Sequence, residues 1–156
     1  MSDQNSIRVV AQPAEQERAF ILEHLIDFNN AHSTALLTSR QPEGGRQPIQ
    51  VLLYDPQEKL LGGLIGHTIW NWLDIDLFWL DESARHLGYG TQIIQAAEAE
   101  ARQRGCQKSK VETYSFQARG FYEKNGYRVV GQIDDFPPGT IDYTLVKELI
   151  PIGHTP

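Results

Sequence analysis

Two spacings of apolar residues alternate along the chain, and they predict different elements. Apolar residues that recur every three or four positions are typical of helices with one packed side, and they occur at 13–31, 89–104 and 118–126. The second of these segments has an apolar stripe and a polar remainder: Ile93, Ile94, Ala97 and Ala101 against Gln95, Glu98 and Arg102. Gly105 then stands where a helix C-terminus favours a left-handed residue.

Short runs rich in β-branched and aromatic residues predict strands. They lie at 7–11, 49–55, 60–70, 72–80, 108–116, 127–133 and 141–149. Segments with proline and glycine at 38–48 and 134–140 predict loops. The order β, α, three β, α, β, α, β, β predicts an α/β (α+β) fold, with a mixed, mostly antiparallel central sheet of about seven strands flanked by helices.

Length and composition limit the classes of protein. The 156 residues predict a single domain over 1–156, and 40% hydrophobic with 22% charged residues is ordinary for a globular protein. A net charge of −6 without a Lys/Arg run argues against a nucleic-acid partner. The apolar runs are too short for a membrane span and the N-terminus lacks the apolar region of a signal peptide, so we expect a cytoplasmic protein without a membrane partner. The single cysteine, Cys106, excludes an internal disulfide.

The turn between the run 72–80 and the second helix carries two glycines one residue apart. Its sequence is Arg85-His86-Leu87-Gly88-Tyr89-Gly90-Thr91. A helix N-terminus leaves backbone N–H groups without partners and carries about half a positive charge, and glycine lets an anion approach the backbone closely. Gly88 and Gly90 therefore suit a phosphate site, where Arg85 either adds charge or braces the loop. The alternative is a turn with no ligand. The turn matches neither the dinucleotide fingerprint nor a Walker loop, because position 93 is Ile and no Gly-Lys-Ser/Thr follows.

Two motifs together resemble a known family. Arg85-x-x-Gly88-x-Gly90 resembles the (Gln/Arg)-x-x-Gly-x-(Gly/Ala) signature of the GNAT superfamily of acetyl-CoA-dependent N-acetyltransferases. The segment 117–131, QARGFYEKNGYRVVG, resembles the family's later A-x-x-F-Y-E-K-x-G-F segment through Phe121, Tyr122, Glu123, Lys124 and Gly126. A helix and a strand separate the two motifs, as in the family, and the core of the resemblance covers 72–133.

The resemblance implies a GNAT-like acyl-CoA N-acyltransferase fold that binds acetyl-CoA and needs no metal. Backbone amides across 85–91 would hold the pyrophosphate of coenzyme A, and the strand end at 78–80 would splay from the strand at 111–115 to pair with pantetheine and polarise the thioester carbonyl. The residues implied in cofactor binding are Phe78, Trp79, Leu80, Arg85, His86, Leu87, Gly88, Tyr89, Gly90, Thr91 and Ser115. Ser115 stands where many family members carry Asn, and its shorter side chain leaves its role open.

The resemblance also implies an acid at the sulfur. Tyr122 would lie near the thioester and protonate the leaving thiolate, since a tyrosine is neutral at pH 7. The alternative is a buried core tyrosine. Phe121 beside it is expected in the core.

The base that deprotonates the amine is less defined. Asp74 falls where histone-type members of the family place a glutamate base, and Asp76, His67 and Glu112 are further carboxylate and imidazole candidates. The alternative is that these carboxylates are surface residues without a catalytic role and that His67 is structural. Three tryptophans in the same region can line an acceptor pocket, although core packing is expected for at least two of them: Trp70, Trp72 and Trp79.

These features predict direct acetyl transfer from acetyl-CoA to a primary amine, with Tyr122 and Asp74 as catalytic residues. The alternative is a GNAT-like module that binds or senses acyl-CoA without turnover, and Tyr122 favours the enzyme because a sensor needs no acid at the sulfur. A nucleotide-binding protein of another fold is a third, weaker interpretation. The tight 38–48 loop favours a small-molecule amine over a peptide acceptor, and the sequence leaves a homodimer open.

Overall fold

A computed structural model of the protein describes residues 5–150. The chain divides between Glu43 and Gly44 into two compact units, which are described separately. The single domain predicted over 1–156 stays a prediction.

The first unit is helical. Helix α1 spans Glu15–His32 and helix α2 spans Thr34–Thr38. The start of α1 is fixed by Glu17, whose carboxylate accepts a hydrogen bond from the Ala14 N–H at 2.8 Å. Ser33 caps α2 by accepting a hydrogen bond from the Leu36 N–H at 3.2 Å. The sequence predicted α1 and missed α2, which is only five residues long.

The strand predicted at 7–11 is wrong, because this segment has no strand conformation. Ile7 and Val9 are 99% and 100% exposed, and none of the described residues pairs with the segment. The propensity of β-branched residues for strands depends on cross-strand and same-face packing, which is missing here.

The second unit is built on a six-stranded sheet. The strands are β1 Gln47–Tyr54, β2 Leu60–Ile69, β3 Trp72–Leu80, β4 Lys108–Tyr114, β5 Arg128–Asp134 and β6 Ile141–Glu148. Their order is β1-β2-β3-β4-β6-β5, and every neighbouring pair is antiparallel except β3 and β4, which are parallel. The predicted mixed, mostly antiparallel sheet is confirmed with six strands rather than about seven.

Helices α3 (Tyr89–Gln103) and α4 (Arg119–Lys124) follow β3 and β4. The predicted apolar stripe of α3 is buried in the hydrophobic core: Ile93, Ile94, Ala97 and Ala101. The strands contribute further buried apolar residues to the same core: Leu64, Leu73, Ile75, Val111 and Leu145. Gly105 (φ +84°) follows α3 in the left-handed conformation, as predicted, and Gly126 (φ +90°) follows α4 in the same conformation.

One polar residue of α3 is buried against expectation. Glu98 is 2% exposed, and its Oε2 accepts a hydrogen bond from Lys147 Nζ at 2.6 Å. Lys147 lies on β6, so the ion pair links α3 to the half of the sheet that contains β4, β6 and β5. The sequence placed Glu98 on the polar part of the helix because a charge partner from a distant strand leaves no local signal.

Candidate active site

The sheet opens between its two parallel strands. Pairing of β3 with β4 runs from Trp72↔Lys108 to Ile75↔Val111 and stops there. Each strand keeps its outer partner beyond this point, since β3 is paired with β2 as far as Leu80 and β4 with β6 as far as Tyr114. The inner edges at 76–80 and 112–114 therefore carry backbone groups that no described strand pairs. The opening lies where the sequence placed a splay, and it begins two residues earlier.

A braced turn leads from β3 to α3. Asp81 caps a short 3-10 helix (Glu82–Ala84) by accepting hydrogen bonds from the N–H and the hydroxyl of Ser83, and these bonds lower the pKa of Asp81. Arg85 Nε donates to the Leu80 carbonyl at 2.9 Å, and its guanidinium lies 5.9 Å from the Trp79 ring centroid. Of the two roles expected for Arg85, the structure contains the bracing contact.

The start of α3 presents free donors. Gly88 is the N-cap residue with φ +85°, and the first bond of the helix runs from the Gln92 N–H to the Gly88 carbonyl at 3.2 Å. The N–H groups of Tyr89, Gly90 and Thr91 have no acceptor within residues 5–150. Unpaired donors at the positive end of a 15-residue helix can bind an anion.

The two glycines of the turn have different surroundings. A Cβ at Gly88 would meet only Gln92 Nε2, at 3.9 Å, so this side of the loop is open. A Cβ at Gly90 would lie 3.1 Å from Phe121 Cε2 and 3.7 Å from Leu80 Cδ1. Gly90 therefore makes room for Phe121 in the interior, whereas the sequence had assigned both glycines to the approach of a phosphate.

Tyr122 lies in an aromatic cluster beside the opening. Its ring centroid is 6.5 Å from Phe78 on the open half of β3, 5.3 Å from Phe121 and 5.7 Å from Tyr127. The residue is 5% exposed, and burial raises the pKa of Tyr122 to about 12. Its hydroxyl forms no hydrogen bond with the part of the chain that the structure describes. The side chain is thus buried, neutral and still able to donate.

Ser115 is bound to β6. Its N–H donates to the Ile141 carbonyl at 2.8 Å, and its hydroxyl accepts from the Ile141 N–H at 3.1 Å. These bonds extend the pairing of β4 with β6 by one residue, so the Ser115 hydroxyl stabilises the sheet in this structure.

Charged side chains line the sheet face opposite α3. Asp74 Oδ2 is 3.2 Å from Lys110 Nζ, which also lies 3.5 Å from Glu112 Oε1. Partial burial of Lys110 opposes its charge, but the neighbouring Asp74 carboxylate raises the pKa of Lys110, so the ammonium persists. His67 Nδ1 lies 2.8 Å from Asp76 Oδ2.

Asp76 owes its position to a β-bulge that sequence reasoning missed. Gly66 is opposite Ile75 and Ile65 is opposite Leu77, which leaves Asp76 as the extra residue. The available signal was the sudden end of alternation at Leu77, after Asp74 and Asp76 at every second position.

The tryptophans are not in the core, contrary to the expectation for at least two of them. Trp70 is 52% and Trp79 59% exposed, while Trp72 is half-buried beneath Lys108, whose Nζ lies 5.4 Å from the ring centroid. Trp70 and Asn71 both have positive φ and form the two-residue turn between β2 and β3, which takes Trp70 out of the sheet.

Within residues 5–150 there is no cluster of metal-ligating side chains and no helix long and apolar enough to cross a membrane.

Comparison with known proteins identifies the class of protein to which this fold and opening belong. The acetyltransferase (GNAT) family model matches residues 16–127. Blasticidin-S acetyltransferase from Streptomyces morookaense is 45% identical over 133 residues, which are 82% of this chain and 98% of that protein. The chain belongs to the GNAT family and is an acetyltransferase.

Two solved structures extend the comparison. An acetyltransferase from Bacillus cereus has a TM-score of 0.74 and 29% identity, with 90% of this chain and 97% of that chain covered. The PaiA N-acetyltransferase from Thermoplasma acidophilum, solved in complex with coenzyme A, has a TM-score of 0.57 and 16% identity over 88% of this chain and 80% of that chain. At that identity the second likeness concerns the fold alone.

Proposed function

We propose that the protein transfers the acetyl group of acetyl-CoA directly to a primary amine of a small molecule. The observation that carries this proposal is the opening between β3 and β4. The N-terminus of α3, with its unpaired N–H groups, follows β3, and Tyr122 packs near Phe78 on the open half of β3. No covalent acyl-enzyme is needed, and the only cysteine, Cys106, is buried with its pKa raised by that burial.

Coenzyme A would lie along the turn and the open edge of β3. The pyrophosphate would accept hydrogen bonds from the backbone of 85–91, most directly from Tyr89, Gly90 and Thr91. The pantetheine amides would pair with the backbone of 78–80, and a backbone N–H there would polarise the thioester carbonyl as negative charge develops on its oxygen. Holding both substrates in one cleft supplies the proximity contribution to the rate.

Tyr122 would donate a hydrogen bond to the departing sulfur. With its pKa raised to about 12, Tyr122 is protonated at every pH at which the enzyme is expected to work. Free thiols have a pKa of about 8.5, so a full proton transfer to an ordinary thiolate would be uphill. The role that fits is stabilisation of the developing thiolate, with the final proton on sulfur equilibrating with water.

The acceptor is proposed to be a small, positively charged amine. Beside the opening, the sheet carries three carboxylates and one ammonium group: Asp74 and Glu112 contact Lys110, and Asp76 contacts His67. This excess of negative charge favours a cationic molecule over an acidic one. The relative that acts on blasticidin S also supports a small-molecule acceptor.

Titration calorimetry with acetyl-CoA and with ATP tests the cofactor half of this proposal. Micromolar binding of acetyl-CoA without binding of ATP is expected. Release of free thiol from acetyl-CoA in the presence of blasticidin S and then of other small amines tests the acceptor half. Absence of acetyl-CoA binding would contradict the whole proposal, while transfer only to peptide amines would contradict the small-molecule acceptor.

A cytoplasmic location and a homodimer complete the proposal. Cell fractionation and light scattering of the purified protein test them.

A further inference from the structure

The sheet face beside the opening holds a histidine–carboxylate pair. His67 Nδ1 and Asp76 Oδ2 are 2.8 Å apart, and the His67 side chain is 9% exposed against 48% for Asp76. An ionised carboxylate only accepts hydrogen bonds, so Nδ1 carries a proton, and in the neutral imidazole the lone pair is therefore on Nε2. Nε2 has no hydrogen-bond partner within residues 5–150, which leaves it available to accept a proton.

The bulge in β3 explains why this pair exists. Asp74 is the residue directly opposite His67. The extra residue in β3 brings Asp76 within reach of the same imidazole, and Asp76 is the first residue of the open edge beyond the last β3–β4 pair at Ile75. The imidazole is therefore anchored to the point where the strands separate.

The neighbouring charges divide the two aspartates into different roles. Asp74 is engaged by Lys110 at 3.2 Å on the β4 side, and Lys110 also contacts Glu112. The Asp74 carboxylate therefore already has a cationic partner, whereas Nε2 of His67 has none within residues 5–150. The charged groups on the strands around His67 are thus Asp74 and Asp76 on β3 and Lys110 and Glu112 on β4, while β1 places the uncharged Pro48 opposite.

We propose that His67 is the general base that accepts a proton from the acceptor ammonium group, directly or through one water molecule, and that Asp76 is its positioning residue. This inference rests on the proposed function and replaces Asp74 as the base. Asp76 holds the imidazole in the tautomer that presents Nε2 and stabilises the imidazolium that forms.

The ammonium group gives one proton to Nε2, and the freed lone pair forms the C–N bond to the thioester carbon. The C–S bond then breaks and its electron pair leaves with sulfur, which gains a proton. The second nitrogen proton passes to solvent, and His67 returns its proton to solvent, so each turnover releases one proton overall.

Two substitutions at one position separate the base from a structural histidine. His67→Asn keeps a donor near the position of Nδ1, and hence the bond to Asp76, but removes Nε2. We expect kcat/KM for the amine to fall about 100-fold at pH 7. The deficit should shrink as the pH rises, because more of the amine is already deprotonated, and added imidazole should restore activity. Affinity for acetyl-CoA and the melting temperature should remain near those of the wild type.

His67→Gln supplies a second check, because its amide reaches the position of Nε2 without being a base, and the same pH-dependent loss is expected. Asp76→Asn should lower kcat/KM about tenfold and displace the pH profile. Glu148→Gln is the matched control: this carboxylate also sits in a partly exposed ion pair, with Lys108 at 3.5 Å, but at the opposite end of β4. Its profile should match the wild type.

A His67→Asn profile that parallels the wild type, or a deficit that is constant across pH, would refute the base. The base would also be refuted if the pH dependence of kcat/KM were lost in Asp74→Asn but kept in His67→Asn. These outcomes do not contradict the proposed function, because each can be observed only if the wild-type protein transfers the acetyl group to an amine. A wild-type enzyme that acetylates no amine refutes the proposed function and the base together.

Discussion

The first half of β3, residues 72–75, has a hydrogen-bonded strand on both sides, whereas the second half, 76–80, has one only on the β2 side. In the first half Leu73 and Ile75 are buried in the core, at 0% and 4% exposure. In the second half Leu77 and Trp79 are 64% and 59% exposed, and Phe78 borders Tyr122. The start of this strand is therefore part of the core, and its end borders the proposed reaction site. Substitutions in the first half should change the free energy of unfolding, and those around the second half should change catalysis.

The largest expected effect is on catalysis at the open half. Tyr122→Phe should lower kcat by about 10²- to 10³-fold, because the departing sulfur would lose the donor proposed for it, while acetyl-CoA affinity stays unchanged. Steady-state thiol release and calorimetry measure the two quantities. Tyr127→Phe is the matched control, since that neighbouring hydroxyl donates to Ser109 at 2.8 Å and should cost about 1 kcal/mol of stability but little activity. Equal losses of activity in the two variants would contradict the role of Tyr122.

The next effect falls on stability at the paired half. Leu73→Ala should lower the free energy of unfolding by about 2–5 kcal/mol, because it leaves a cavity in a fully buried position. Leu77→Ala on the same strand should change it by less than about 0.5 kcal/mol, since this side chain is exposed. Urea denaturation followed by circular dichroism measures both. Similar losses would mean that the two halves do not differ as described.

A smaller effect is expected where the turn meets the aromatic cluster. Gly90→Ala should cost about 1–2 kcal/mol, since its Cβ would lie 3.1 Å from Phe121 Cε2 and the crowding outweighs the gain in helix propensity. Gly120→Ala, which lies in α4 with no atom within 4 Å of the added Cβ, should instead stabilise the protein slightly. Thermal melts compare the two, and a stabilised Gly90→Ala would show that Phe121 yields freely.

The smallest expected effect tests whether the turn before α3 binds the pyrophosphate. Gly88→Ala and Gly105→Ala both force a left-handed residue, at φ +85° and +84°, and each should cost about 1 kcal/mol. They flank α3, and only Gly88 adjoins the free N–H groups. Calorimetry should therefore find weaker acetyl-CoA binding for Gly88→Ala alone. Equal affinities in the two variants would place the pyrophosphate elsewhere.

The sequence predicted most of the fold because the patterns are local. The apolar stripe of α3, Gly105 at the end of that helix, and six of the seven proposed strands are confirmed. The segment 7–11 has residues that favour a strand, but no described strand pairs with it. Residue propensity alone does not indicate whether a partner strand is present.

The candidate site was less accessible from sequence because its contacts are long-range. The family motifs located the turn and Tyr122, but the inward role of Gly90 depends on Phe121, which lies 31 positions away along the chain. Likewise the partner of Glu98 comes from β6, and the bond of His67 to Asp76 depends on a bulge that a single sequence marks only faintly.

The sheet consists of two three-stranded ribbons, β1-β2-β3 and β4-β6-β5, joined along a seam of four paired positions. An extended pantetheine chain lying across the open edges would act as an additional strand that closes this seam. On the proposed function the ligand is therefore also a structural member of the sheet, and a concentration 100 times its Kd would add about 2.7 kcal/mol to the stability. Hydrogen exchange of the backbone amides in the open halves of β3 and β4 would then report occupancy of the site without any amine being present.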